Sequence, residues 1–595
     1  MINRVIDFSV EHKFLVLASV ALACIFGCWA MLGIPLDATP DLSDTQVIIY
    51  SRWDRSPDII EDQVTYPIVT AMLGAPKVKT VRGVSDFGYS YVYIIFEDGT
   101  DLYWARSRAL EYLSGVQSRL PEGVKAELGP DATALGWVYQ YALVDTSGKH
   151  SLSDLRSYQD WYLSYHLRSV PGVAEVAPVG GYTRQFQVNV DPNRLQAYGI
   201  PIRRVVEAVR SGNEEVGGRL LEFGGTEYMI RGRGYATSTE QFGNIVLSTS
   251  ADGTAIRIKD VGQVVEGPEL RRGIADLDGK GEVVSGIVVM RSGENAMDVI
   301  SRVKQKIADV TPGLPEGVKI VPVYDRSELI HRAISNLKIT IVEVVVTVVL
   351  IILIFLWHFP SAAIPIVTMP VVVLVSFIPF RLLGISANIM SLAGVAIAFS
   401  ELVDASIVVV EQTHKKLELW ERGGRVGDYR AAVIAAIKEV AGPTFFALLV
   451  IAVSFLPVLA LEAQEGRMFK PLAYTKTLAM LIAAVMAITL DPALRLLLTR
   501  VRRFDFHPQF LCRIANALLI GKVRNEEDHA ISRWMMRVYE PLVRKTLRWK
   551  WAVIGGAVAI VLLSIPRSCN LVRSSCRRWM KARSCTCRRP CRAFR

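Results

Sequence analysis

The chain alternates between long apolar stretches and polar segments, and seven of the stretches approach the length that crosses a bilayer. A membrane helix needs about 20 mostly apolar residues. The seven predicted spans are residues 14–36, 338–357, 362–383, 389–412, 444–461, 474–498 and 549–565. We interpret the first span as an uncleaved signal-anchor helix, because it is too long for a signal peptide and lacks a convincing cleavage site. The pattern predicts an α-helical membrane bundle with one long polar segment of about 300 residues between the first two spans.

The fourth apolar stretch contains three carboxyl groups. Glu401, Asp404 and Glu411 follow each other at spacings of three and seven, which predicts one helical face. A carboxylate at the centre of a membrane helix costs roughly 2.5–3.5 kcal/mol or more, so such residues usually face a bundle interior and handle protons or ions. The pattern favours a proton-coupled transporter. The alternative, which stays open, is that these are structural polar residues satisfied by neighbouring helices.

Composition and charge support this interpretation and predict an orientation. The chain has 51% hydrophobic residues and a mean hydropathy of +0.30. Residues 500–550 contain twelve Lys or Arg against five Asp or Glu, so we place this segment inside the cell. The N-terminus then also lies inside, and the 300-residue segment lies outside, in the periplasm of a cell with two membranes. That segment contains no cysteine, so no disulfide framework is expected.

The outer segment contains an internal repeat. Residues 120–125 and 314–319 both read Leu-Pro-Glu-Gly-Val-Lys. Each copy follows an amphipathic helix (101–119 and 295–309) and precedes a short strand, which predicts two related α+β subdomains. The second copy is interrupted by residues 182–270, which include a glycine-rich run at 217–234. Alternating patterns at 89–96 and 185–190 predict further strands.

Ordered motifs carry a resemblance to a known family. They are 64–67 (VTYP), 89–101 (YSYVYIIFEDGTD), 127–132 (ELGPDA), 154–156 (DLR), 170–176 (VPGVAEV), 267–273 (GPELRRG), 324–327 (YDRS) and 387–392 (ANIMSL). Over about residues 1–566 the chain resembles the first half of a resistance-nodulation-division (RND) pump of the heavy-metal efflux branch, the CusA/CzcA type. The resemblance implies a secondary transporter that exchanges metal cations for protons, with no enzymatic activity and no resident cofactor. It also implies an inner-membrane homotrimer that assembles with a periplasmic adaptor and an outer-membrane channel.

The resemblance implies a division into domains as well. We expect an N-terminal segment with the first membrane helix at 1–36 and ferredoxin-like porter subdomains at 37–132 and at 133–181 with 271–335. A docking subdomain is expected at 182–270. Membrane helices two to six would occupy 336–500, a basic cytoplasmic segment 501–548, the seventh helix 549–566 and an unrelated tail 567–595.

The same resemblance assigns roles to the carboxyl groups. Asp404 matches the proton-relay aspartate, Glu411 matches a glutamate one heptad further on, and Glu401 stands where most relatives have a small residue. Ala405 replaces the second aspartate that multidrug members usually have, which favours the metal branch over the alternative of a multidrug or lipid-type exporter. The metal, of the Cu/Ag or the Co/Zn/Cd class, is not assigned. Asp491 we interpret as a helix-end feature.

Three methionines in the membrane helices are candidates for contact with a soft cation: Met390, Met480 and Met486. A methionine sulfur is a soft ligand, but membrane methionines also serve as packing residues, so both interpretations stay open.

The last 29 residues, 567–595, differ in composition from the rest. They contain ten Lys or Arg, no Asp or Glu, and five of the eight cysteines. Reading the family's usual Met-Pro-Pro-Leu-Asp-Glu codons one base late yields Cys-Arg-Arg-Trp-Met-Lys, the sequence at 576–581, so we interpret the tail as frame-shifted. We therefore expect the carboxylates of the fourth predicted span to take their cationic partners from the second half of the pump, which is absent. We also expect the chain alone to be inactive, with a non-transporting membrane remnant as the alternative.

Overall fold

A computed structural model describes residues 2–249, 253–271, 273–356, 359–423, 428–498 and 530–564. In chain order its helices are α1 (Ile2–Glu11), α2 (Lys13–Leu32), α3 (Pro57–Ile60), α4 (Tyr66–Met72), α5 (Leu102–Gln117), α6 (Leu152–Ser157), α7 (Ser164–Arg168), α8 (Pro192–Ala197), α9 (Ile202–Gly212), α10 (Thr239–Gly243), α11 (Ile258–Val261), α12 (Ala296–Val310), α13 (Arg326–Leu356), α14 (Phe359–Leu382), α15 (Ile389–Arg422), α16 (Tyr429–Ser454), α17 (Ala463–Leu498), α18 (Ala530–Arg548) and α19 (Lys550–Ser564). The tail that we interpret as frame-shifted, 567–595, and residues 501–529 of the predicted basic segment lie outside the described residues.

Within the part of the chain that the structure describes, the strands form two four-stranded antiparallel sheets and three two-stranded ones. They are β1 (Gln46–Arg52), β2 (Val78–Asp86), β3 (Tyr89–Phe96), β4 (Lys125–Leu128), β5 (Trp137–Asp145), β6 (Val173–Val179), β7 (Arg184–Val190), β8 (Val216–Phe223), β9 (Thr226–Gly232), β10 (Val246–Thr249), β11 (Ala255–Arg257), β12 (Gly262–Pro268), β13 (Val284–Met290) and β14 (Val318–Asp325). The larger sheets have the orders β2-β3-β1-β4 and β6-β13-β5-β14.

The two larger sheets have the same topology. In each, the first strand along the chain is central, and the fourth strand lies at the edge beside it. This is the ferredoxin-like order. The repeated Leu-Pro-Glu-Gly-Val-Lys segments precede the two edge strands, and Gly123 and Gly317 both have positive φ, 85° and 90°. Glycine is required in these turns because other residues rarely adopt that conformation. The predicted α+β repeat is confirmed.

A second correspondence lies between the first and second strands of each unit. There α3 and α4 flank a π-helical turn, Glu61–Thr65, and α6 and α7 flank another, Tyr158–Leu163. The sequence pattern does not predict this feature. Its presence at equivalent places supports the same duplication.

The segment between β6 and β13 forms a separate group of small sheets. Strand β7 pairs with β12, and β10 pairs with β11. The glycine-rich run forms the exposed hairpin β8–β9, whose turn contains Gly224 and Gly225, both with positive φ. The predicted strand near 185–190 is thus β7, and the predicted strand at 89–96 is β3.

Among the described residues, six helices have the length and hydropathy to cross a membrane: α2, α13, α14, α15, α16 and α17. Helices α18 and α19 qualify only as a pair, and they meet at an angle of 89°. The first six predicted spans are confirmed, although most of the helices extend beyond them. The seventh span corresponds to α19, which is shorter than a bilayer crossing when taken without α18. The described core of the bundle lies where α15 and α17 pack against α14 and α16.

Candidate functional site

Helices α15 and α17 approach each other closely at one point. A Cβ atom added to Gly394 of α15 would lie 2.6 Å from the carbonyl oxygen of Leu472 on α17. Thr475 also donates a hydrogen bond to the carbonyl oxygen of Ser391, with an Oγ1–O distance of 3.0 Å. Only glycine permits this contact between the two backbones. The two helices are therefore held together at the end nearest the sheets.

An ion pair joins these two helices next to the close contact. The Nζ atom of Lys476 lies 2.8 Å from Oε1 of Glu401, and the Lys476 side chain is 3% exposed. The ammonium also lies 3.4 Å from the ring centroid of Phe455, a cation–π contact. In a low-dielectric interior a lysine needs such partners to remain charged. The expectation that cationic partners would come only from an absent second half is therefore wrong for Glu401.

The Glu401 carboxyl group has unused hydrogen-bonding capacity. Its Oε2 atom is buried and has no hydrogen-bond partner within the described part of the chain. An ionised carboxylate accepts hydrogen bonds at both oxygens, and a buried oxygen without one raises the free energy of the folded state. The second oxygen can thus accept a hydrogen bond from a donor outside the described residues.

The other two predicted relay residues have different surroundings. Glu411 is 44% exposed and accepts from Lys415 of its own helix, with an Nζ–Oε1 distance of 2.6 Å. The backbone of Asp404 lies in α15, but its side chain lies outside the described residues. Ten residues of helix separate Glu401 from Glu411, about 15 Å along the axis. The structure therefore does not bring these two glutamates together, and each has its own cationic partner.

A second buried polar cluster lies further along α17. Asp491 is 2% exposed and accepts a hydrogen bond from Thr368 of α14, with an Oγ1–Oδ1 distance of 2.8 Å. Arg495, one turn on, is 1% exposed and donates to the carbonyl oxygen of Val410 on α15, at 3.4 Å. Our interpretation of Asp491 as a helix-end feature is wrong, because the residue lies inside α17 and its carboxylate connects α17 to α14. The spacing of four between Asp491 and Arg495 within one apolar stretch was the available signal.

The candidate methionines pack into the bundle. Met480 is fully buried and Met486 is 8% exposed, both within the apolar core around α17. Met390 is the second residue of α15 and is half-buried. Among the described residues, no three His, Cys, Asp or Glu side chains come together as a metal site. The burial of Met480 and Met486 is consistent with packing residues. Contact of the three methionines with a cation stays a prediction.

Ion pairs connect the bundle to the first sheet unit. At the start of α17, Arg467 binds both Asp44, at 2.8 Å, and Asp98, and it donates to the carbonyl oxygen of Leu42. The hydrogen bond from Arg467 lowers the pKa of Asp98. Arg467 and Lys476 both lie on α17, so this helix is bound at one position to the loops that flank β1 and β3 and at the other to α15.

Further ion pairs lie where the second unit continues into α13 of the bundle. Arg326, at the start of α13, is 4% exposed and binds Asp37 at 2.8 Å. Burial raises the pKa of Asp37, although Arg326 opposes this effect. Lys304 of α12 binds Asp325 at the end of β14. Burial acts to raise the pKa of Asp325, but hydrogen bonds from Lys304 and Ser327 outweigh it, and the pKa is lowered.

Buried charges in an α-helical bundle, joined to paired ferredoxin-like units, are features of a membrane transporter. The chain matches the AcrB/AcrD/AcrF family over residues 5–571 and belongs to it. It is thus a multi-pass inner-membrane protein of the RND family of transporters.

Individual relatives indicate the branch. The chain is 47% identical over 573 residues to the cation efflux system protein CusA of Escherichia coli K12, covering 95% of this chain and 53% of that protein. It is 35% identical over 583 residues to the cobalt-zinc-cadmium resistance protein CzcA of Cupriavidus metallidurans, covering 96% and 52%. The crystal structure of a heavy metal efflux pump matches with a TM-score of 0.72 at 30% identity, covering 83% and 48%. The predicted resemblance is confirmed, and the chain spans about half the length of these curated relatives.

Proposed function

We propose that this chain functions in proton-driven export of heavy-metal cations, as the inner-membrane component of a tripartite complex. Two relatives are named for cation efflux and for cobalt-zinc-cadmium resistance. The observation that carries the proposal is the intramembrane pair Glu401–Lys476, which joins α15, the helix of Asp404, to α17, which is ion-paired with the sheet unit. The structural neighbour and these relatives favour the metal branch over a multidrug exporter.

Asp404 is proposed as the main proton carrier and Glu401 as its partner on the side of the sheets. The two residues are three positions apart on α15, about 4.5 Å along the axis. The Oε2 atom of Glu401, which has no hydrogen-bond partner among the described residues, gives the pair a means to respond when the charge of Asp404 changes. Lys476 would shift toward Asp404 when that group is ionised and return to Glu401 when it is protonated.

Helix α17 is proposed to transmit this change. Lys476 lies nine residues from Arg467, about 13 Å along the helix, and Arg467 is bound to the first sheet unit through Asp44 and Asp98. A shift of α17 would therefore move the first porter subdomain relative to the second and alternate access to the cation. Glu411, closer to the proposed inner end, would release the proton toward the cytoplasm.

The remaining assignments follow the family. The porter subdomains are proposed at 37–132 and at 133–181 with 271–335, and the docking subdomain at 182–270. A homotrimer, a periplasmic adaptor and an outer-membrane channel are proposed as partners, with the N-terminus in the cytoplasm. Met390, Met480 and Met486 are proposed contacts for a soft cation, and a cation of the Co/Zn/Cd class would not depend on them.

The proposal is tested with a chimera in which residues 1–566 replace the corresponding part of Escherichia coli CusA. The chimera is expressed in a strain that lacks its own metal pumps, and growth is measured across concentrations of Cu, Ag, Co, Zn and Cd. We expect resistance to at least one metal, and its loss in Asp404→Asn at equal membrane abundance. Ser400→Ala, a neighbouring uncharged change, serves as the control. Resistance in Asp404→Asn equal to that of the parent would contradict the relay assignment, and resistance to organic drugs alone would favour the multidrug alternative.

A further inference from the structure

A groove of about 620 Å³ opens on the outside of the bundle between α2 and the last turn of α14. Its walls consist of one stripe of α2, at the helical spacings three and four, and of three residues from α14. The lining residues are Ser19, Leu22, Ala23, Phe26, Trp29, Ala30, Ile378, Arg381 and Leu382. Apart from Ser19 and Arg381, the lining residues are apolar or aromatic. Trp29 is of a residue type that is common at membrane interfaces.

The length of the groove matches one leaflet. Eleven residues of α2 separate Ser19 from Ala30, which is about 16 Å of helix. The hydrocarbon core of a bilayer is about 30 Å thick, so the groove extends from one membrane surface to about the midplane. This length suits an acyl chain, and it is too short for a membrane-spanning helix.

A single cation marks the surface end of the groove. Arg381 stacks on Trp29, with its Cζ atom 3.6 Å from the ring centroid, and its Nη1 atom donates to the carbonyl oxygen of Trp29 at 3.0 Å. Gly33 makes room for the guanidinium, because a Cβ atom there would lie 2.6 Å from Cζ of Arg381. The position of the charge is therefore fixed by the surrounding residues.

The Arg381 guanidinium has N–H donors that form no hydrogen bond to the described part of the protein. An arginine has five N–H donors, and Arg381 uses one of them in a hydrogen bond to the protein. Within the described ranges no carboxylate forms an ion pair with Arg381, whereas Arg52, Arg326 and Arg467 each have an acidic partner. Its end of the groove lies on the side of the two sheets, since α2 leads there into the Leu36–Ala387 bridge. A phosphodiester at the level of the lipid headgroups would supply the missing anion.

We propose that this groove binds one glycerophospholipid from the leaflet on the side of the sheets. Arg381 binds the phosphate, Trp29 lies at the headgroup level, and one acyl chain follows the α2 stripe toward Ser19. The site is distinct from the α15–α17 charge pair and does not depend on the proposed metal export.

The test uses the 595-residue chain, purified in detergent and stripped of lipid. Phosphatidylglycerol, a diacylglycerol with the same acyl chains, and inorganic phosphate are added separately, and binding is measured by native mass spectrometry and by thermal melting. We expect the phospholipid to bind and to raise the melting temperature in a saturable manner, whereas the diacylglycerol and inorganic phosphate do not. Arg381→Gln should weaken phospholipid binding about tenfold, because a charge-assisted hydrogen bond is lost.

Two further variants separate charge from shape. Ala23→Trp fills the groove and leaves Arg381 intact, so it should also abolish saturable binding. Arg332→Gln, at an exposed arginine of α13 outside the groove, should bind phospholipid as the parent does. Equal binding by the parent and Arg381→Gln, or equal binding of diacylglycerol and phospholipid, would overturn the proposal. A dimer of the parent that Ala23→Trp dissociates would overturn it as well, because a second copy would then cover the groove.

Discussion

The pair Glu401–Lys476 predicts an unequal response to removing either charge. Glu401→Gln leaves the Lys476 ammonium, whose side chain is 3% exposed, without its carboxylate. Breaking one side of a buried ion pair costs about 3–5 kcal/mol, and we expect a value in that range. Lys476→Met should cost less, about 2 kcal/mol, because Glu401 is 30% exposed and water can reach its carboxylate when the ammonium is removed. Part of that loss is the cation–π contact with Phe455.

The double variant gives the decisive comparison. Glu401→Gln combined with Lys476→Met removes both charges, and apolar or neutral replacements of a buried pair are often well tolerated. We expect it to be less destabilised than Glu401→Gln alone, with a coupling energy of about 2 kcal/mol or more between the two sites. The assay is reversible unfolding in mixed detergent micelles, followed by tryptophan fluorescence. Lys470→Met, on the same helix, is the control and should change stability by less than about 0.5 kcal/mol. Additive single effects, within about 0.5 kcal/mol, would refute the reasoning.

Other parts of the structure support three further predictions. Thr368→Val should cost about 1–3 kcal/mol by removing the hydrogen-bond donor of buried Asp491, measured by the same unfolding assay, and an unchanged stability would show that another donor serves Asp491. Gly394→Ala should cost about 1–3 kcal/mol and lower the melting temperature, since its Cβ would press on Leu472 and separate α15 from α17; a higher melting temperature would contradict the close contact. The lowered pKa of Asp325 means that its ion pair stabilises the fold above its unfolded pKa of about 3.9, and that this contribution is lost as the pH falls through the lower folded value. Asp325→Asn should therefore be destabilising at neutral pH, with a deficit that shrinks below about pH 4, and a deficit independent of pH would argue against the pair.

The sequence predicted those parts of the fold that depend on local pattern. Apolar length located the six crossing helices, and the repeated Leu-Pro-Glu-Gly-Val-Lys segment located two equivalent sheet edges, because the turn before each edge strand requires a glycine with positive φ. The π-helical turns at Glu61–Thr65 and Tyr158–Leu163 were missed, since nothing in their composition distinguishes them from ordinary helix.

The partners of the site residues were less predictable. Periodicity places Glu401 on a face of α15, but it cannot show which neighbouring helix lies against that face. The burial of Lys476 is not predictable from its position. The residue lies only two residues inside the predicted sixth span, and a lysine near the end of a span is usually at the membrane surface. The structure buries it through the tight packing at Gly394, a contact between residues about 80 positions apart in the chain.

The central claim is that proton movement through the carboxyl group of Asp404 drives cation export. The most direct measurement uses proteoliposomes that contain the chimera with residues 1–566, loaded with a pH-sensitive dye and exposed to a metal to which the chimera confers resistance. The account predicts that proton flux and metal flux occur together in the parent and that both cease in Asp404→Asn, while the Ser400→Ala control keeps both. Metal flux in Asp404→Asn at the parental rate, or metal flux in the parent without proton movement, would contradict the account.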